Sequence, residues 1–114
     1  MSFYFLAPSG PPLNVKVTTQ SSSSLFISWK APEVERQNGV ITNFTVCFSH
    51  RKNGICFKEY ITKSYELSIN NLSFSTKYIV SDLATTRAGS GNYSQSQEAL
   101  TNGRKFCVLF FKFK

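Results

Sequence analysis

The residues of this chain best suited to chemistry are three cysteines and a single histidine among 114 residues. Cys47, His50 and Cys56 lie close together in the sequence, as metal ligands or disulfide partners often do. A metal site would need a further ligand, and a histidine-dependent catalytic site would need a nucleophile and an orienting acid beside His50. No pattern in the sequence supplies either set. We therefore expect no catalytic residue, no cofactor and no metal site.

Cys47 and Cys56 flank a polar turn and are candidates for a disulfide. They fall on neighbouring predicted strands, where facing positions of an antiparallel pair approach closely enough for the bond. A two-residue turn at Asn53-Gly54 would place Cys56 opposite Arg51, whereas a turn centred on Arg51-Lys52 would place it opposite Cys47. The sequence leaves both registers open, and with them either a bonded pair or two free thiols.

Three asparagines have the spacing of acceptors for N-linked glycan. Asn43, Asn71 and Asn92 each precede a serine or threonine by two positions. Alternation puts Asn43 on the outward face of a strand and the other two in turns. Because a chain this rich in serine and threonine yields about two such triplets by chance, three give only mild support for secretion. We expect an extracellular or cell-surface location and regard an intracellular one as less favoured.

Alternating apolar and polar side chains predict the strands that must position these residues. The clearest segments are 24–30 and 41–49, and turn signals rich in glycine, asparagine and serine separate five further strands. No segment reads as a helix. The pattern predicts an all-β fold, a seven-stranded antiparallel sandwich. The predicted core residues are Leu25, Ile27, Trp29, Phe44, Val46, Leu67, Leu72, Tyr78 and Val80.

Asp82 conflicts with this pattern because it falls in the inward row of the sixth predicted strand. An unpaired carboxylate in a core costs several kcal/mol or takes up a proton. Three explanations compete: Asp82 reaches solvent or a lysine where the sandwich opens, a bulge turns Leu83 inward instead, or the domain is degraded or partial. A ligand site is the least favoured interpretation, since no second acid or histidine accompanies Asp82.

Five segments occur in the order and spacing of one family. They are PSGPPLNVKV, SLFISWKAP, NGVITNFTV, LSFSTKY and TRAGSGNYS. Over about residues 8–102 the chain resembles a fibronectin type III domain, which implies an immunoglobulin-like sandwich. The resemblance makes Trp29 the core tryptophan of the second strand. It makes Tyr78 the tyrosine whose hydroxyl closes a corner on the backbone, for which we expect a carbonyl partner, with Phe74 where the family often has proline.

Outside that domain we expect residues 1–7 to be an N-terminal edge without structure and 103–114 to be a basic, apolar tail of unassigned origin. The tail could add an edge strand, lie on an anionic membrane surface, or be foreign to the module. It accounts for much of the formal net charge of +7, because residues 1–103 hold nine of the 13 basic residues against all six acids. The scattered bases exclude a nucleic-acid platform but admit a weak glycosaminoglycan contact. No segment is long enough to span a membrane.

The resemblance implies a noncatalytic module that binds a protein ligand or spaces neighbouring domains within a multidomain receptor. One alternative is an ectodomain fragment of a receptor-type protein tyrosine phosphatase whose catalytic domain lies elsewhere, and another is an intracellular structural spacer. Two loops are candidate contact surfaces: residues 33–39, which begin as an irregular charged loop, and the hairpin 88–93, whose tip is predicted at residues 89–92. Whether they share an end of the sandwich depends on the strand path. Their candidate residues are Glu33, Glu35, Arg36, Asn38, Arg87, Ser90, Asn92 and Tyr93.

Overall fold

The computed structural model describes residues 6–50 and 56–103. That part of the chain contains eight strands and one short helix. They are β1 (Leu13–Ser21), β2 (Ser24–Lys30), α1 (Val34–Gln37), β3 (Asn43–Ser49), β4 (Lys58–Thr62), β5 (Glu66–Ile69), β6 (Lys77–Thr86), β7 (Gly89–Ser90) and β8 (Gln97–Leu100).

The strands form two antiparallel sheets that pack face to face. One sheet has the order β1-β2-β5, and the other has the order β4-β3-β6 with both β7 and β8 paired to β6. Because β7 and β8 follow each other along the same edge of β6, they are two parts of one interrupted edge strand. The eight described strands therefore correspond to the seven predicted ones, and the predicted sandwich is confirmed.

Strands β2 and β3 are interior strands that pair on both edges, and their alternating side chains supply much of the core. Leu25 and Ile27 of β2 and Val46 of β3 are fully buried, while the side chains between them point away from the core. Leu67 and Leu72 are half-buried and pack against this core. The buried cluster consists of Leu25, Ile27, Trp29, Phe44, Val46, Phe48, Ile69, Tyr78, Val80 and Ala84.

Two local expectations were wrong. The segment predicted as an irregular charged loop contains the four-residue helix α1, which ends where Asn38 takes a left-handed conformation with φ 56°. A single turn of helix buries no side chain, so it leaves no periodic pattern to detect. The hairpin tip predicted at residues 89–92 lies earlier, at Arg87-Ala88, because Gly89 and Ser90 already pair with β6.

Candidate interaction surface

The two candidate contact loops lie at the same end of the sandwich. Asn43, the first residue of β3, pairs with Thr85 near the end of β6, so residues 31–42 and the β6–β7 turn come together. The N-terminal lead-in packs beside them. We call this end, formed by residues 6–12, 31–42 and 87–91, the N-terminal pole.

Hydrogen bonds hold the lead-in against both loops of the N-terminal pole. The side-chain amide of Asn38 donates to the carbonyl of Ala7 at 3.0 Å, and the hydroxyl of Thr86 donates to the carbonyl of Leu6 at 2.8 Å. Leu6 and Ala7, assigned from the sequence to an edge without structure, are therefore anchored; residues 1–5 lie outside the described part. Asn38, a candidate partner contact, has its amide committed to the chain's own backbone.

Two glycines allow the lead-in to lie this close. A Cβ at Gly10 would come within 2.7 Å of the Arg36 side chain, and one at Gly91 would come within 2.8 Å of the Pro8 carbonyl oxygen. The Ser9 amide also donates to the Arg36 carbonyl at 2.8 Å. The chain therefore enters the domain along a defined path between the loops.

The exposed part of the N-terminal pole combines charged and apolar side chains. Glu33 and Arg36 form a solvent-exposed ion pair at 3.5 Å, and Glu35 is exposed beside them. Val34 and Val40 have exposed fractions of 82% and 79%. Neither valine is among the contact residues predicted from the sequence, although each is a large apolar residue outside the alternating strand pattern. Arg87 is also exposed at this pole.

Tyr93 lies across the outer face of the larger sheet. Its hydroxyl donates to the Glu59 carboxylate at 3.4 Å and lies 3.8 Å from Cys56 Sγ. Burial, followed by the nearby Glu59 carboxylate, raises the pKa of the Tyr93 phenol. Asn92 and Ser90 are the other candidate contact residues of this hairpin. Asn92 is exposed, and the hydroxyl groups of Ser90 and Thr85 are hydrogen-bonded to each other.

The structure joins Cys47 to Cys56 in a disulfide with the Cα atoms 5.5 Å apart. Neither register considered from the sequence is present, because Cys47 faces Glu59 in the β3–β4 ladder. Cys56 precedes β4 and reaches Cys47 from outside that ladder; the intervening turn residues 51–55 lie outside the described part of the chain. Bonded cysteines are not free metal ligands, and no group of three or more potential metal ligands occurs within residues 6–50 and 56–103.

His50 and the candidate glycan acceptors have distinct surroundings. The His50 ring lies 5.0 Å from the Tyr78 ring, between centroids. Asn71 and Asn92 are exposed, whereas Asn43 is half-buried at the start of β3. Glycosylation at these three positions stays a prediction.

Asp82 is enclosed between the sheets, with an exposed fraction of 0%. It lies opposite Val46 in a β3–β6 register that runs unbroken from Asn43 to Ser49. Both the open rim with a lysine partner and the bulge in β6 that would turn Leu83 inward are therefore wrong. Neither carboxylate oxygen has a partner within hydrogen-bonding geometry. Burial raises the pKa of Asp82 to about 8, opposed by a smaller attraction from the nearby Leu83 backbone amide.

The family model for the fibronectin type III domain matches residues 10–99. The chain belongs to the fibronectin type III family. Among solved structures, the FN5 domain of Drosophila Lar has a TM-score of 0.66 at 26% identity, over 86% of this chain and all of that one. The FN1-FN3 domains of chicken CNTN1 share the fold, with a TM-score of 0.71 at 23% identity over 84% of this chain and 31% of that one.

Curated relatives of this fibronectin type III domain are long cell-surface proteins. The Mus musculus receptor-type tyrosine-protein phosphatase F is 30% identical over 102 residues, which is 84% of this chain and 5% of that protein. The Gallus gallus cell adhesion molecule DSCAM is 38% identical over 87 residues, which is 75% of this chain and 4% of that protein. The chain therefore spans about one twentieth of the length of these relatives.

The two aromatic residues that the resemblance singled out are buried in this fibronectin type III domain. Trp29 packs edge to face against Phe44 with ring centroids 5.6 Å apart, and its indole N–H has no partner. The Tyr78 hydroxyl accepts a hydrogen bond from the Ser73 amide at 3.0 Å. The expected partner was a carbonyl, but the corner is closed by an N–H group instead.

Proposed function

We propose that this fibronectin type III domain is a noncatalytic, extracellular module, spanning residues 8–102, that spaces neighbouring domains and binds a protein partner. The observation that carries the proposal is the position of the two chain ends. The lead-in lies at the N-terminal pole, whereas Asn102 packs at the opposite end, where its carbonyl accepts from the Ser75 amide at 3.0 Å. A chain that enters at one end and leaves at the other suits a serial array.

The N-terminal pole is the proposed contact surface. Val34 and Val40 are exposed apolar groups beside the charged pair of Glu33 and Arg36, and contact surfaces commonly combine an apolar centre with a polar rim. Within residues 6–50 and 56–103 no helix has the length and hydropathy of a membrane span. A weak glycosaminoglycan contact is a secondary proposal, supported only by the excess of nine basic over six acidic residues within residues 1–103.

We expect the double substitution Val34→Ser and Val40→Ser to lower cell adhesion to surfaces coated with the purified domain by about fivefold or more, because it removes the apolar area that these two side chains would bury against a partner. Leu100→Ser is the control, since Leu100 is an exposed apolar residue on β8 that pairs with Lys77 at the start of β6, at the end opposite the pole. Equal losses in the control and the double variant would refute the pole as the contact surface. Absence of adhesion to the unmodified domain would reject the adhesive role.

A second candidate is that the domain belongs to the ectodomain of a receptor-type tyrosine phosphatase. The match to receptor-type tyrosine-protein phosphatase F favours it, and the match to DSCAM favours an adhesion molecule without a phosphatase domain equally well. The full-length transcript decides between them, because only the first carries a phosphatase domain. The third candidate, an intracellular spacer, is disfavoured by the Cys47–Cys56 disulfide, since reducing compartments keep such thiols free.

For the extracellular assignment we expect the three cysteines of this chain in the endogenous protein to include one alkylatable thiol, Cys107 of the tail, before reduction and three afterwards. We also expect hexosamine-containing mass on the peptides with Asn71 and Asn92, whose side chains are exposed. Peptide mass spectrometry with and without reduction and glycosidase treatment measures both. Three free thiols and unmodified asparagines would place the domain in a reducing compartment instead.

A further inference from the structure

The Asp82 carboxyl group is sealed in the core without a compensating charge. Its neighbour in the β3–β6 ladder is Val46, and the adjoining inward residues of β6 are Val80 and Ala84, so none of these side chains carries a charge. The Asp82 charge is also the smallest of the causes that raise the pKa of the Tyr93 phenol on the neighbouring edge segment. A charge placed here has neither water nor a counterion, so ionisation strongly favours any conformation that admits solvent.

The chain segment beside Asp82 is attached to β6 less regularly than the rest of that edge. Residues 91–96, which we call the edge segment, connect β7 to β8 without belonging to either strand. The Ser94 amide donates to the Asp82 carbonyl at 2.7 Å, but the Asp82 amide donates to the Ser94 hydroxyl at 3.0 Å, not to a backbone carbonyl. The Gly91 amide bonds the Ala84 carbonyl at 2.9 Å. Few hydrogen bonds therefore attach the edge segment to β6.

A seam separates the edge segment from the start of the smaller sheet. A cavity of about 250 Å³ lies there, lined from one side by Pro12, Leu13 and Val15 and from the other by Ser94 and Gln97. The bulge in β1 between Leu13 and Lys16 lies at the same place, where the β1–β2 register shifts. Water that enters this seam needs only a local displacement of the edge segment to reach the interior.

We propose that ionisation of Asp82 releases the edge segment from β6, so that solvent enters through the seam and hydrates the carboxylate. Local opening of an edge costs less free energy than unfolding of the domain, so it is the first route by which the charge can reach water. Release leaves the backbone N–H and C=O groups of Asp82 unpaired at the outer edge of β6. Unpaired backbone groups at a sheet edge can accept another strand. The pairing of the edge segment with β6 thus depends on pH.

The direction of the pH dependence follows from the two pKa values. In the closed state the pKa is about 8, whereas the ordinary value of 3.8 applies where the carboxyl group is hydrated. The closed state binds the proton more tightly, so acid favours it. Opening therefore becomes more frequent as the pH rises from about 4 to about 8 and changes little above that range.

Hydrogen exchange measured by mass spectrometry tests the proposal. After division by the intrinsic exchange rate, amides of the edge segment should lose protection by about thirtyfold between about pH 6.5 and about pH 9. In Asp82→Asn, which has a similar shape and no ionisation, the corrected protection should not change over that range. Amides of β2 serve as the internal reference because β2 is the central strand of the other sheet.

Two outcomes would overturn the proposal. Equal pH dependence in the unmodified domain and Asp82→Asn would show that another group controls the edge. Ionisation also lowers the stability of the whole domain, so β2 amides lose protection too but should stay better protected than the edge segment; equal protection of β2 and the edge segment at every pH would show that the whole domain opens. If Asp82→Asn does not fold, a carboxyl carbon NMR titration of the unmodified domain decides. A midpoint near the ordinary value of 3.8 with the edge segment still protected would refute the coupling.

Discussion

Replacing Trp29 with alanine is expected to lower the free energy of unfolding by about 3 to 5 kcal/mol. The indole is 4% exposed and contacts Phe44 across the sheets, so its removal leaves a cavity between two well-packed layers. A domain of this size has a total stability of about 5 to 15 kcal/mol. The variant should therefore be marginally folded or unfolded at 37 °C, as judged by denaturant titration followed by circular dichroism.

Trp29→Phe is the matched control for this prediction. The indole N–H has no hydrogen-bond partner, so phenylalanine removes volume without leaving a polar group unpaired. The loss should be about 1 to 2 kcal/mol, clearly smaller than for alanine. An alanine variant with an unchanged denaturation midpoint, or ready iodide quenching of tryptophan fluorescence in the unmodified domain, would contradict the burial of Trp29.

The central strands could be predicted from the sequence because their side chains meet two different environments. Val46 faces the core while Thr45 points outward, and that alternation continues through β2 and β3. The short edge elements were harder to predict. Helix α1 buries nothing and β7 has two residues, so neither leaves a pattern long enough to assign.

The candidate surface depended on contacts between distant parts of the chain. Asn38 appeared to be a loop residue available to a partner, but its amide binds Ala7, which is 31 positions away. The register of Cys47 against Glu59 is likewise set by the whole β3–β4 ladder and not by the turn between them. Residue types indicate which side chains are candidates for a contact surface or a disulfide. The partners of those side chains can be read only from the folded structure, because they lie far away in the sequence or depend on strand register.

For Asp82 the sequence predicts the position of the side chain correctly but not its environment. Periodicity correctly placed Asp82 in the inward row with Val80 and Ala84. General principles then favoured a local escape to solvent or to a lysine, since buried acids are normally paired. The unbroken β3–β6 register prevents that escape, and the domain retains a buried acid that opposes its own stability.

Replacing Asp82 with valine is therefore expected to stabilise the domain by roughly 5 kcal/mol at about pH 8. The folded state keeps the proton up to about pH 8, while the unfolded chain releases it near 3.8. The folded state thus binds more protons between these values, and the unmodified domain loses stability as the pH rises through that range. Valine continues the inward apolar row and removes both the charge and the unpaired oxygens.

Denaturant titrations at several pH values from about 5 to about 8 measure this effect, because the stability gained by valine should grow as the pH rises. Asp82→Asn separates the cost of ionisation from the cost of burying unpaired polar atoms. It abolishes the pH dependence but keeps a buried amide without a partner, so the stability it gains at about pH 8 should be smaller than that gained by valine. An unmodified domain whose stability stays constant over this range would mean that Asp82 is hydrated or paired in solution. A gain from valine that is equal at every pH would assign the cost of Asp82 to packing and not to ionisation.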